Sequence, residues 1–103
     1  MIDDALTALL SGEKTYVETM TGLRFQFRQP DEDNPDNRLL CYRVGRLPTI
    51  REFTAVRRVL EAMRPGADIK LLEPLTYTGN DGKKRHGRIF FWTKAQAVQS
   101  PLF

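Results

Sequence analysis

Between Leu23 and Arg28 the side chains alternate strictly, with Leu23, Phe25 and Phe27 set against Arg24, Gln26 and Arg28. Successive side chains of a strand point to opposite faces, so this run predicts a strand with one apolar and one polar side. Such a strand fits a sheet that is packed on one face, an arrangement typical of antiparallel pairing. The preceding run, Thr15 to Met20, is compatible with an extended chain, and Thr21 and Gly22 separate the two as in a hairpin.

The rest of the chain can be arranged around that hairpin. Asp3 and Asp4 suit the positive end of a helix dipole, and Ile2, Ala5, Leu6, Leu9 and Leu10 recur at helical spacing up to Ser11 and Gly12. Residues 30–37, PDEDNPDN, read as an exposed acidic loop unable to pair in a sheet; they lack the Gly and terminal Glu spacing of a calcium loop, so no metal site is expected. Arg38 to Val44, apolar apart from Arg43 once it is under way, reads as an interior strand. Thr49 followed by Glu52 has capping-box spacing and predicts a helix from Ile50 to Met63, stopped by Pro65 and Gly66. Its apolar stripe would be Ile50, Phe53, Val56, Leu60 and Met63, with Arg51 and Arg58 on the far face and Arg57 and Arg64 on a flank. Asp68 to Thr78 reads as a strand in which Pro74, having no amide to donate, must lie at an edge or a bulge. After the turn formers Gly79 to Gly82, the chain returns as an aromatic strand from Gly87 to Lys94. The expected architecture is a single α+β domain over residues 1–95, with a tail over 96–103. Its order is α-β-β-β-α-β-β, with a mainly antiparallel sheet and one long amphipathic helix packed on it.

Composition narrows the function. At 103 residues, 41% hydrophobic and 28% charged, the chain can bury one core but not a core and a large enclosed cofactor cavity, so no cofactor is expected and a binding module is favoured. No apolar run approaches the roughly 20 residues of a membrane helix, and Met1 leads into acids where a signal peptide would be basic; a cytoplasmic protein is expected. Cys41 is the single cysteine, set in an apolar run, and reads as a small buried hydrophobe. The net charge of +3 conceals an asymmetry: residues 1–36 hold three Lys/Arg against eight Asp/Glu, net −5, and residues 37–103 hold thirteen against five, net +8. A basic field of that kind attracts polyanions.

Three features of the basic half and the tail bear on function. Lys83, Lys84, Arg85, His86 and Arg88 follow the Gly79–Gly82 turn without an intervening acid, and the helix arginines Arg51, Arg57, Arg58 and Arg64 add a second basic element, with Arg51 and Arg58 the candidate contacts. Clusters of this kind bind phosphate backbones by releasing condensed counterions, although the same run also suits a solvated hairpin end. Phe90, Phe91 and Trp92 alternate in direction, so one face could present rings to bases, while core packing against Phe25 and Phe27 is the simpler use of them. The chain ends Gln99, Ser100, Pro101, Leu102, Phe103. This pentapeptide resembles the motif with which bacterial polymerases and repair proteins bind the replication sliding clamp; Gln99, Leu102 and Phe103 match it, and Ser100 and Pro101 depart from its usual residues. The resemblance implies an extended anchor whose Leu102 and Phe103 fill an apolar pocket while Gln99 hydrogen-bonds at the rim.

These features together predict a non-enzymatic accessory or modulator of bacterial or mobile-element DNA replication or repair. It would bind DNA or RNA through its basic elements and the sliding clamp through its tail. Two alternatives stay open. A small ribonuclease would use His86 with Arg85, Arg88 and Tyr77 for acid–base cleavage, in a chain whose size and charge resemble those of ribosome-dependent toxin nucleases. A protein-interaction domain would instead set its basic half against an acidic partner.

Overall fold

The computed structural model describes residues 6–7, 15–17, 22–28, 32 and 35–93. Within them lie strands β1 (Thr15–Val17), β2 (Arg24–Arg28) and β3 (Asp36–Val44), helix α1 (Ile50–Met63), and strands β4 (Lys70–Leu71), β5 (Leu75–Thr78) and β6 (Lys84–Thr93). Every pairing is antiparallel, and the sheet runs β1-β2-β3-β6, with β4 and β5 both on the outer side of β6. A small α+β domain with a mostly antiparallel sheet is therefore what the chain forms. No described helix is long and apolar enough to cross a membrane.

The β2 alternation does what its pattern requires: Leu23, Phe25 and Phe27 are buried, while Gln26 and Arg28 are exposed. The strand read at Arg38 to Val44 is interior, bonded to β2 on one side and β6 on the other, but it starts two residues earlier than expected. Asp36 and Asn37, assigned to the loop by composition, pair with Thr93 and Trp92. Their polar side chains serve that pairing, Asn37 donating to the Trp92 carbonyl at 3.5 Å and Asp36 accepting from the Thr93 hydroxyl at 3.5 Å.

Helix α1 has the bounds its capping box predicts. The Glu52 amide donates to Thr49 Oγ1 at 3.2 Å, and the Thr49 amide donates to Glu52 Oε1 at 2.9 Å. At 14 residues, about 21 Å, it is of ordinary length rather than long. Phe53, Val56 and Leu60 are buried, but Ile50, expected on the same stripe, is 83% exposed. At 3.6 residues per turn Ile50 lies about 60° from Phe53, on the opposite side to Val56, Leu60 and Met63, and so falls off the buried stripe.

The core lies between α1 and one face of the sheet, where Phe53, Val56 and Leu60 meet Phe25, Phe27, Leu39, Cys41, Phe90 and Trp92. Phe27 stacks on Trp92 and Phe53 tilts against Phe90. Phe90 and Trp92 thus serve the core, as the simpler reading of the aromatic strand holds. Leu6 and Thr7 are helical and Leu6 joins this core; the rest of that segment lies outside the described residues.

The strand expected over Asp68 to Thr78 is broken in two. Leu71 pairs with Phe90 and Leu75 with Gly87, so residues 72–74 stand opposite only Arg88 and Ile89. That is a bulge of one residue, with Pro74 inside it, on an edge strand where a missing amide does no harm. Leu72 still donates to the Ile89 carbonyl at 2.9 Å. The extra residue reverses the pleat: Leu71 faces α1, whereas Leu75 and Tyr77 turn to the other side of the sheet.

Candidate nucleic-acid interface

The basic residues singled out from the sequence do not form one patch. The Gly79–Lys83 turn is closed by bonds from the Gly79 amide to the Lys83 carbonyl at 2.9 Å and from the Gly82 amide to the Gly79 carbonyl at 3.0 Å. Of the run, only Lys83 belongs to the turn, because β6 begins at Lys84 rather than at Gly87. Strand alternation then sends Lys84, His86 and Arg88 toward the α1 side and Arg85 to the opposite side. His86 Nδ1 lies 2.9 Å from Thr76 Oγ1. Arg88 donates to the Leu72 carbonyl at 2.7 Å, within the bulge, and lies 5.8 Å from the Phe53 ring. Arg51 and Arg58 are exposed on the outer face of α1.

Two further helix arginines have structural partners. Arg57 donates to the Ile69 carbonyl at 2.7 Å and stacks 5.6 Å from Phe90, and Arg64 bonds to the Met63 carbonyl. On β3, Arg43 forms a paired hydrogen bond and salt bridge with Glu52, tying the start of the helix to the sheet. Partial burial pushes the Glu52 carboxyl up, but the bonds from Arg43 and Thr49 outweigh it and hold the group below the ordinary glutamate value. Next to them, burial pushes the Cys41 thiol far upward, with Glu52 adding to the rise and Arg43 opposing it, so the sulfur stays protonated and inert.

The residues named for acid–base cleavage are divided in the same way. His86 and Arg88 lie on the α1 side, and Arg85 and Tyr77 on the other. A sheet separates them, which counts against their working as one site. Gln99, Leu102 and Phe103 lie outside the described residues.

What the pairing does assemble is the face of the sheet turned away from α1. Matching the registers places its side chains in rows across the strands. One row is Arg28, Arg38, Phe91 and Lys70; the next is Gln26, Leu40 and Ile89; then come Arg24, Tyr42, Gly87 and Leu75; the last holds Val44, Arg85 and Tyr77. No described element packs over this face. Its end near the Gly79–Lys83 turn is closed by its own contacts: Tyr42 is buried, its ring 6.3 Å from that of Tyr77, with the Arg85 guanidinium 5.6 Å above it. Gly87 is required beneath them, since a Cβ there would meet the Cys41 carbonyl at 2.5 Å and Tyr42 at 2.6 Å.

The opposite end is electrostatically unbalanced. Arg28 and Arg38 are direct cross-strand partners, an arrangement of like charges that opposes pairing. Among the described residues no carboxylate pairs with Arg24, Arg28 or Arg38. The Arg38 Nε is buried without a hydrogen-bond partner. The one described acid of the strands on this face is Asp36, at the end of β3, and the ion pair between Lys70 and Asp68 is long, 3.7 Å, and exposed on both sides. Phe91 lies half-buried between Arg38 and Lys70. Reading the sequence alone missed this face, because each of its cations occurs singly in the chain. Compared with known proteins, the chain matches no family model, no curated protein and no solved structure.

Proposed function

We propose that this chain is a non-enzymatic nucleic-acid-binding protein that makes its main contact through the sheet face turned away from α1. The observation that carries this reading is the cross-strand pair Arg28–Arg38, two cations held side by side with no carboxylate partner among the described residues. Arg24 and Lys70 extend the positive field over the same face, as a repeating polyanion would require. Lys83 and Lys84, exposed beyond the end of the face, add a peripheral attraction. Together with the clamp-like Gln99, Leu102 and Phe103, the reading extends to an accessory or modulator of bacterial or mobile-element replication or repair, with the tail as its anchor.

Binding of a labelled oligonucleotide over a salt series tests it. Affinity should fall steeply with salt, and each arginine removed by Arg28→Ala or Arg38→Ala should flatten the slope of log K against log salt by roughly 0.7 to 0.9. Lys83→Ala with Lys84→Ala should change the slope less. Absence of binding at low salt would sink the proposal. Removing residues 99–103 should abolish capture by a sliding clamp and leave oligonucleotide binding intact.

A further inference from the structure

Resting on that nucleic-acid reading, we infer that the face takes single strands rather than duplex, with an unpaired base stacked on Phe91 and the adjoining phosphates held by Arg28 and Arg38 on one side and Lys70 on the other. The row Arg28, Arg38, Phe91, Lys70 crosses β2, β3, β6 and β4 and spans three strand spacings, about 14 Å. A ring set between cations is the arrangement by which single strands are bound without regard to sequence. Cations follow the backbone, and every base offers a π-face to the ring.

Shape decides against duplex. The major groove, about 12 Å wide, admits a helix or a two-stranded ribbon and is too narrow for this four-strand row, and a sheet face reaches the minor groove only by bending and widening the duplex. An undeformed duplex would meet this surface through its phosphates, and its bases, stacked on one another, would present Phe91 with no free face unless a step were unstacked at a cost in stacking energy. The helix arginines Arg51 and Arg58 cannot extend the contact, since they lie on the far side of the molecule. Tyr42 and Tyr77 cannot replace Phe91, because they are engaged with one another and with Arg85. Phe91 is therefore the ring available in the cationic row, and its neighbours Leu40 and Ile89 supply an apolar floor for the sugar and base edge of the next nucleotide.

The experiment uses the full chain with four probes of one sequence: single-stranded DNA, single-stranded RNA and the two corresponding duplexes. The single strands should bind more tightly than the duplexes. Phe91→Ala should weaken single-strand binding about ten- to a hundredfold and leave duplex binding unchanged, and Phe91→Trp should restore it. Arg38→Ala should weaken all probes it affects through the salt-dependent part alone. Circular dichroism and a melting curve verify that each variant folds, and Phe91→Leu, which keeps apolar bulk without the ring, should behave as Phe91→Ala does. Equal loss for duplex and single strand, or no loss, overturns the single-strand assignment and leaves nucleic-acid binding standing. No binding to any probe overturns both. A wild-type dimer that Phe91→Ala dissociates assigns the face to a second copy of the chain and overturns the assignment as well. Comparing the RNA and DNA arms identifies the preferred backbone.

Discussion

Replacing Arg38 with methionine should make the unliganded protein more stable while weakening its binding. The substitution keeps an unbranched stem on the strand and removes a charge that has two costs in the free protein. Directly across the β2–β3 pair stands Arg28, and opposed like charges in a sheet cost up to about 1 kcal/mol. The buried Nε lacks a partner, and an unsatisfied buried donor costs about 1–3 kcal/mol. Solvent reaches part of this half-buried side chain and screens the repulsion, so the sum is discounted to a net gain of about 1 kcal/mol. For a domain of this size that raises the melting midpoint by about 4–8 °C. Thermal and urea denaturation at low and high salt are the assay. The charge component of the gain should shrink as salt rises, and the desolvation component should persist. A loss of about 1 kcal/mol or more in Arg38→Met would instead make Arg38 a structural member of the sheet rather than a cation awaiting an anion.

Other substitutions probe the frame that holds this face. Gly87→Ala should destabilise by about 1–3 kcal/mol in urea denaturation, because the added methyl meets backbone at Cys41 and the root of Tyr42 rather than a yielding side-chain end; an unchanged midpoint would mean the strand pair opens at no cost. Since Glu52 is held below its ordinary value of 4.5, the folded state binds its proton more weakly than the unfolded chain. Its contribution is therefore complete above that value and is lost as pH falls through the lower folded value. Denaturation midpoints measured from neutral pH down to about pH 3 should decline more gently in Glu52→Gln than in the wild type. Parallel profiles would show that the Arg43–Glu52 pair does not couple the helix to the sheet.

Features fixed by neighbours in sequence were legible in advance. Leu23 to Arg28 needed only its own alternation, and Thr49 with Glu52 defined the start of α1 through bonds closed within four residues. Pro74 announced an edge or bulge because its lack of an amide is a local fact. Features that depend on register were not legible. Arg28 and Arg38 are separated by an acidic loop, and nothing in either residue says that they meet; the β2–β3 pairing does. The basic run from Lys83 to Arg88 looked like one patch because it is continuous, yet it enters a strand and divides between two faces. Ile50 satisfied a spacing rule but fell on the wrong side of the helix axis, which the spacing to Phe53 alone does not distinguish.

The bulge at residues 72–74 also bears on self-association. A strand at the rim of a sheet presents unpaired backbone groups that invite other chains to add strands, and β4–β5 forms one such rim among the described residues. There the hydrogen-bonding ladder is interrupted after two residues, its phase slips by one, and Pro74 offers no donor. An incoming strand would find no straight template of sufficient length to bond along. The irregularity at this rim thus denies an incoming chain an edge along which to extend the sheet.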